Sequence, residues 1–172
     1  VEPAYLRAPA DSRIKLGHLD KAKLRIGIYW AAMPNQPLDR QRSVPFAHFM
    51  ALAGDAELLI FSLQGGVHQQ DIQQFGAGGL VHDVGRGIFD FAEAASALSQ
   101  LDLLISIDAP IAHLAAAMGM KTWVLLPSTV DWRWQLGGTR ASWHPSARLF
   151  RQPRPGDWEA VFAEVRGELG AL

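Results

Sequence analysis

The side chains best suited to chemistry in this sequence stand directly after its apolar runs. Arg40, Arg42 and Ser43 follow the first run, in a segment that extends from Ala31 to Val44. Two arginines this close together can hold a phosphate or diphosphate group through paired, charge-assisted hydrogen bonds. The other interpretation is a solvated surface loop, and the spacing of these residues alone does not separate the two.

A second set of candidate residues, from Asp108 to His113, joins the end of another apolar run to the start of a helical pattern. Pro110 suits the first helical position, so the backbone N–H groups after it should point out of the helix end, where the helix dipole favours an anion. Asp108 is placed to accept a hydrogen bond from a sugar hydroxyl, and the His113 side chain leans back toward the same helix end. Alternatively, Asp108 caps the helix and His113 is an interior histidine.

Gln64, Gly65 and Gly66 give a weaker signal after the second apolar run. Paired glycines allow a ligand to approach the backbone closely, but they also serve simple tight turns. The sequence contains neither the glycine-rich dinucleotide fingerprint nor the P-loop pattern, so a dinucleotide-dependent oxidoreductase is a poor interpretation.

Aromatic and imidazole side chains offer further candidates. Trp132 and Trp134 flank Arg133, and Trp143 follows; these rings either stack on a base or sugar or, as we favour, anchor a long loop to the core. The six histidines show no metal-binding spacing, and neither the HExxH nor the GxSxG pattern occurs. We therefore expect no metal site.

Apolar runs that contain β-branched or aromatic residues predict six strands, several of them apolar almost throughout, as in strands covered on both faces. The predicted strands are Leu24–Trp30, Leu58–Ser62, Leu80–Val84, Leu101–Ile107, Thr122–Leu126 and Arg148–Arg151. Helical stripes, with apolar residues at i, i+3, i+4 and i+7, alternate with these strands. The stripes are Phe46–Ala53, Phe91–Leu98, Ile111–Met118 and Trp158–Val165.

Capping residues support the same division of the chain. They are the pair Asp90 and Glu93, Asp157 before the last helix, Gly54 and Gly119 as left-handed helix ends, and Pro45 in a first helical turn. Strands that alternate with helices predict right-handed crossovers and a doubly wound, mainly parallel six-stranded sheet, which is a Rossmann-like α/β fold. Residues 24–172 form this predicted domain, and residues 1–23 read as a connecting arm.

The composition excludes several classes of protein. The chain has 172 residues, 49% hydrophobic and 19% charged, as expected of one packed domain. Sixteen basic and 17 acidic side chains leave a net charge of -1, which argues against a nucleic-acid or anionic-membrane binder. The absence of cysteine excludes disulfides and thiolate metal sites and is compatible with a reducing cytoplasm. No apolar run reaches the roughly 18 residues of a membrane span, and the first residue, Val1, suggests a piece of a longer protein.

Taken in order, several motifs resemble the C-terminal lobe of glycosyltransferase family 9, the heptosyltransferase-like enzymes. The resemblance is carried by Arg25–Trp30, Asp39–Pro45, Phe61–Gly65, Asp90–Ala92, Leu101–Asp108, Ala112–Ala115, Trp123–Pro127, Asp131–Trp134 and Arg148–Pro153. Its most specific parts are the Asp-x-x-x-x-His spacing of Asp108 and His113 and the Asp-Trp-Arg-Trp segment. It covers nearly the whole chain and is closest to the bacterial members that follow tetratricopeptide repeats.

The resemblance implies a GT-B architecture, in which two Rossmann-like lobes face each other across a cleft and the C-terminal lobe holds the nucleotide-sugar donor. It implies a cytoplasmic enzyme that needs neither metal nor cofactor and moves a sugar from a nucleotide diphosphate to an acceptor. The general base is expected in an N-terminal lobe, beside tetratricopeptide repeats. Arg42, Ser43 and the first turn after Asp108 would meet the diphosphate, while Asp108 and His113 border the sugar and phosphate.

Two departures from the family pattern motivate an alternative. Ala109 stands where the family usually has Thr, whose hydroxyl can cap the helix and touch phosphate. Gly65 and Gly66 stand where the repeat-bearing members often have Lys after Ser-Leu-Gln. Because a hydroxyl and a cation both contribute to anion binding, the alternative is a catalytically degenerate module kept for nucleotide binding or protein interaction.

Overall fold

The computed structural model describes residues 4–11, 14–17, 23–33, 37–129, 132–134 and 137–172, with the side chains of residues 37–39 left aside. Six strands form one sheet in the order β3-β2-β1-β4-β5-β6, and all neighbouring pairs are parallel. The strands are β1 (Leu24–Tyr29), β2 (Leu58–Ser62), β3 (Val81–Asp83), β4 (Leu103–Ile107), β5 (Thr122–Leu126) and β6 (Ala147–Arg151). This order is that of the Rossmann-like, doubly wound fold, which confirms the predicted fold class.

All six predicted strands are present, and the largest boundary error is at the start of β4. The apolar run predicts a strand from Leu101, but the strand begins at Leu103, because Leu101 belongs to a turn in which its N–H bonds to the carbonyl of Leu98. Leu101 is nevertheless buried, so it lengthens the apolar run without lengthening the strand. At the start of β3, Leu80 is exposed and follows a 3-10 turn, which makes this strand shorter than predicted as well.

Six α-helices lie in the described ranges. They are α1 (Pro37–Arg42), α2 (Ala47–Ala53), α3 (Asp71–Gln74), α4 (Phe91–Leu98), α5 (Pro110–Ala117) and α6 (Trp158–Leu169). Four of them, α2, α4, α5 and α6, are the helices that the apolar stripes predict. The other two fall in segments expected to be loops, because helices of six and four residues are too short to show a stripe. None of the helices described is both long and apolar enough to cross a membrane.

The predicted side-chain caps are present at two helix starts. At α4, Oδ1 of Asp90 accepts from the N–H of Glu93 (2.8 Å), and the Glu93 carboxylate accepts in return from the N–H of Phe89 (2.7 Å). At α6, Oδ1 of Asp157 accepts from the N–H of Ala160 (3.2 Å). Both carboxylates satisfy backbone donors that have no partner inside the helix.

The predictions for the other helix ends are right at one position and wrong at two. Gly119 has a φ of 73°, the left-handed conformation that ends α5. Gly54 does not: its φ is -81°, because the chain leaves α2 through a right-handed turn in which the Gly54 N–H bonds to the carbonyl of Met50. Pro45 precedes the helix rather than entering its first turn, since α2 begins at Ala47.

The strand order puts the topological switch point between β1 and β4. The chain passes from β1 to β2 on one side of this point and from β4 to β5 on the other. The connections after β1 and β4 therefore diverge and open a crevice at the carboxyl ends of these strands, which is where ligands bind in sheets of this topology.

The described part of residues 1–23 packs beside α5 and the end of α4. The N–H groups of Tyr5 and Leu6 both donate to the carbonyl of Ala117, at 2.9 and 3.2 Å. The Gln100 side chain accepts from the N–H of Leu16 at 3.1 Å, and Leu16 is buried in the main apolar core. This segment thus lies beside the C-terminal ends of α4 and α5.

Candidate functional site

Two segments that follow neighbouring strands meet at the edge of the crevice. α1 ends at Arg42, in the connection after β1, and Asp108 follows β4 directly. The Arg42 guanidinium donates through Nη1 to the main-chain carbonyl of Asp108 (3.3 Å), and the same nitrogen lies 3.8 Å from Oδ2 of the Asp108 carboxylate. The fold thus brings together two candidate residues that are 66 positions apart in the sequence.

These residues line a cavity of about 620 Å³, which we call the rim groove. Its polar lining residues are Arg42, Asp108, His113 and Arg133. The other lining residues, which are apolar or aromatic, come from the N-terminal segment, the start of α4, and α5: Tyr5, Leu6, Phe91, Ala109, Pro110, Leu114 and Ala117. A cavity of this size, mostly apolar with a few convergent polar groups, is typical of a small-molecule site.

Asp108 is buried, and its carboxylate is held among polar neighbours. Oδ1 lies 3.4 Å from Nε2 of His113. Burial raises the pKa of Asp108, but His113, the Trp134 indole and the Arg42 guanidinium together outweigh burial and bring the pKa below its usual 3.8. The Trp134 N–H is buried and makes no hydrogen bond of regular geometry within the described residues. Asp108 is therefore a carboxylate at neutral pH and can accept a hydrogen bond from a hydroxyl.

His113 connects Asp108 to a second histidine. Its ring stacks on the buried Trp134, with 4.7 Å between ring centroids, and its Nδ1 lies 3.3 Å from Nε2 of His144. When His113 is neutral and donates its Nε2–H to Asp108, its Nδ1 accepts from the N–H of His144; when His113 is protonated, its Nδ1–H donates to Nε2 of His144 instead. Burial and the charge of His113 lower the pKa of His144 below 6.5.

The start of α5 offers fewer backbone donors than the sequence predicts. Ala109 is the N-cap in extended conformation (φ -147°, ψ 160°) and provides no side-chain cap, while Pro110 has no N–H. The carbonyl of Ala109 accepts from the N–H groups of Ala112 (3.0 Å) and His113 (3.5 Å). Attraction of an anion to this helix end therefore depends mainly on the helix dipole and on the neighbouring Arg42 guanidinium.

Arg40 and Ser43, which were predicted together with Arg42 as one phosphate site, face a second cavity of about 510 Å³. Side chains two positions apart on a helix point in different directions, so Arg40 and Arg42 leave α1 on different sides. The Ser43 hydroxyl oxygen accepts from the N–H of Ala32 (3.1 Å), which fixes the connection after β1. The structure does not bring Arg40 or Ser43 to the rim groove.

Gln64, another predicted site residue, ties the connections after β1 and β2 together. Its Oε1 accepts from the N–H groups of Trp30 (3.1 Å) and Ala31 (2.9 Å), and its Nε2 donates to the carbonyls of Ala31 (3.0 Å) and Gly65 (3.1 Å). The backbone therefore occupies all the hydrogen-bonding positions of this buried amide. Close by, a Cβ at Gly85 would lie 2.1 Å from the Gln64 carbonyl oxygen, so glycine is required there.

The place of His144 in the site and the different roles of the tryptophans become apparent only in the structure. Trp134 is fully buried, as an anchor should be, whereas Trp132 and Trp143 are 73% and 56% exposed. A 3-10 turn over Trp132–Trp134 directs its first and third side chains apart, which places one ring inward and the other outward. No spacing pattern relates His144 to His113, because 31 residues separate them.

Candidate metal ligands do not cluster in the part of the chain that the structure describes. Within these ranges, no three His, Asp or Glu side chains are close enough to hold a metal ion.

Comparison with known proteins relates the fold to glycosyltransferases. No family model and no curated protein matches the sequence, but several solved structures do. One is a glycosyl transferase of family 9 from Veillonella parvula DSM 2008, with a TM-score of 0.59 and 16% identity. Two others are from E. coli: heptosyltransferase WaaC with ADP-2-deoxy-2-fluoro heptose (TM-score 0.62, 17% identity) and ADP-heptose lps heptosyltransferase II (0.59, 14%).

These matches extend over most of this chain and less than half of each solved structure. They cover 86%, 91% and 87% of this chain, and 40%, 46% and 49% of the three structures respectively. At such low identity, the likeness establishes the shared fold, a parallel α/β sheet with flanking helices that forms part of each of these glycosyltransferases.

Proposed function

We propose that this chain is the donor-binding, C-terminal lobe of a metal-independent GT-B glycosyltransferase of family 9, which transfers a sugar from a nucleotide diphosphate to an acceptor. The observation that carries the proposal is the meeting of Arg42 with the start of α5 at the β1–β4 switch point. Ligands of Rossmann-like sheets bind at this point. The solved structures with this fold include WaaC with ADP and WaaC with ADP-2-deoxy-2-fluoro heptose.

The charges of the rim groove suit a diphosphate. Arg42 and Arg133 contribute two positive charges and Asp108 one negative charge, so the lining has a net positive charge before His113 is counted. The Asp108 carboxylate lies near both Arg42 (3.8 Å) and His113 (3.4 Å), which weakens its repulsion of an anion. Arg42 and the dipole of α5 would stabilise the charge that develops on the leaving diphosphate, which is electrostatic catalysis that requires no metal ion.

Asp108 and His113 are the residues proposed to border the donor sugar. As a carboxylate, Asp108 accepts hydrogen bonds and suits a sugar hydroxyl rather than a phosphate oxygen. His113 lies within the same groove and contacts Asp108, so both side chains are positioned where the sugar and the diphosphate would join.

The complete enzyme requires a second lobe. The chain corresponds to 40–49% of the glycosyltransferases that share its fold. We propose that an N-terminal lobe, joined through residues 1–23, holds the acceptor and the general base, that tetratricopeptide repeats accompany it, and that the protein is cytoplasmic. This chain alone then binds a donor but transfers no sugar. Turnover by the isolated chain in a glycosyl-transfer assay would contradict this division of labour.

Calorimetric titration with ADP-, UDP- and GDP-sugars tests donor binding. We expect saturable binding of the sugars of one nucleotide, competed by the corresponding nucleoside diphosphate. The absence of binding for every nucleotide in the panel would refute the proposal, because a donor lobe without donor affinity has no role in transfer.

The second candidate function is a catalytically degenerate module that binds nucleotides or other proteins. Two observations favour it: Ala109 supplies no side-chain cap to α5, and the position directly after Gln64 is Gly65, where an extended backbone with nothing within 4 Å of an added Cβ has room for a lysine that this chain lacks. Nucleotide binding by this chain, combined with a full-length protein that transfers no sugar, would support this candidate over the first.

A further inference from the structure

A smaller cavity of about 190 Å³ adjoins the rim groove, and we call it the tryptophan slot. It is lined by His113, Trp132, Arg133, Trp143 and His144. His113 and Arg133 also line the rim groove, so the two cavities meet at these side chains. We propose that the tryptophan slot holds the sugar ring of a nucleotide sugar whose diphosphate lies beside Arg42 in the rim groove. The inference rests on the proposed donor-binding function and deepens it.

The two exposed tryptophans carry the first step of the argument. Trp132 is 73% exposed and Trp143 is 56% exposed, although both line one cavity. Trp134, two positions after Trp132, is fully buried, so the turn places one ring in the core and presents the other to solvent. Large aromatic faces that line a cavity favour a ligand with a flat, apolar face, and the C–H face of a sugar ring is such a surface.

Polar groups on the same cavity match the hydroxyl edge of a sugar. The Arg133 guanidinium lies 5.9 Å from the ring centroid of Trp132, so hydrogen-bond donors stand beside an aromatic face. His113 and His144 contribute imidazole edges, and Asp108, which contacts His113, adds an acceptor where the cavities join. An apolar face combined with donors and acceptors at its edge is the arrangement that a polyhydroxylated ring requires.

The volumes of the two cavities assign the parts of the donor. At about 190 Å³, the tryptophan slot is below the range of roughly 300 Å³ or more that encloses a drug-sized ligand, and it has room for a single ring. The rim groove, at about 620 Å³ and with Tyr5 and Phe91 among its lining residues, accommodates the larger nucleoside. The diphosphate then passes Arg42, Asp108 and His113 between the two.

Paired titrations separate sugar contacts from nucleotide contacts. Wild type, Trp132→Ala and Trp143→Ala are titrated with ADP and ADP-glucose, UDP and UDP-glucose, and GDP and GDP-mannose. For the nucleotide that binds, we expect each substitution to weaken binding of the nucleotide sugar roughly 10-fold, about 1.4 kcal/mol, as for loss of one stacking partner. The matching nucleoside diphosphate should change less than about twofold. Trp143→Phe, which keeps an aromatic face, should recover most of the lost affinity.

Phe75→Ala is the matched control, because Phe75 is a similarly exposed ring (48%) that lines the second cavity instead. It should leave both affinities unchanged. Trp132→Gln and Trp143→Gln repeat the test if an alanine variant folds poorly. Equal loss of nucleotide and nucleotide-sugar binding, or no loss of either, would overturn the assignment of the slot to the donor sugar. A wild-type chain that binds no nucleotide at all would instead overturn the donor-binding function itself, and the assignment with it.

Discussion

Replacement of Arg42 by Gln is the most direct test of the rim groove. The change keeps a polar side chain but removes the positive charge and the donor that lies 3.3 Å from the Asp108 carbonyl. A hydrogen bond to a charged group contributes about 1.5–3 kcal/mol. The Arg42 side chain is 33% exposed and shares its charge with Asp108, so the lower half of this range applies. We expect nucleoside diphosphates to bind about 10- to 30-fold more weakly, measured by calorimetry at constant low ionic strength.

Arg40→Gln is the control for this measurement, because it makes the same chemical change two positions away on a side chain that lines the second cavity. It should leave the affinity unchanged, whereas Arg42→Lys should recover part of the loss by restoring the charge without the planar fork. Equal weakening by Arg40→Gln and Arg42→Gln would mean that diffuse charge rather than a defined site attracts the nucleotide. Unchanged binding in Arg42→Gln would refute the rim groove as a diphosphate site.

Four other predictions concern stability, measured as the free energy of unfolding in urea. Ala109→Ser supplies the missing N-cap oxygen of α5 and should raise the free energy of unfolding by about 1 kcal/mol. No gain in stability would mean that the new hydroxyl bonds elsewhere. Gly85→Ala places a Cβ against the main-chain oxygen of Gln64 and should lower the free energy of unfolding by about 2 kcal/mol or more. The control is Gly65→Ala, whose Cβ meets nothing within 4 Å and which should change the free energy of unfolding by less than about 0.5 kcal/mol. The folded-state pKa of His144 is below 6.5, so the unfolded chain binds more protons than the folded chain just below that pH. The free energy of unfolding should therefore fall as the pH drops through this range, and it should fall less in the His144→Gln variant. The lowered pKa of Asp108 predicts a further decrease below pH 3.8, which Asp108→Asn should reduce.

The fold and the meeting of Arg42 with Asp108 were predictable from the sequence. Strands that are buried on both faces are apolar almost throughout, and helices that are buried on one face carry an apolar stripe. Both kinds of element can therefore be recognised from the spacing of apolar residues in the sequence. Once six strands alternate with helices, the topological rule directs attention to the segments after strands at the switch point. Arg42 and Asp108 lie in the connections after β1 and β4, which pair side by side, so the strand order places these two connections at one edge.

The finer arrangement of the site depends on features that leave no periodic signal. The sequence does not distinguish Arg40 from Arg42, because their separation requires knowledge that α1 is a helix, and its six residues are too few to reveal this. His144 reaches His113 through the tertiary fold alone. The interior role of Gln64 was likewise invisible, since a glutamine beside glycines reads equally well as a ligand contact.

The amide of Gln64 continues the β1–β2 pairing one step past the end of the sheet. Its four backbone bonds make the connection after β1 and the connection after β2 one mechanical unit. A molecule that pushes the first connection outward must carry the second with it or break these bonds. Arg42 of the first connection lines the rim groove while Arg40 and Ser43 line the second cavity, so the two cavities share a wall that these four bonds tie to the connection after β2.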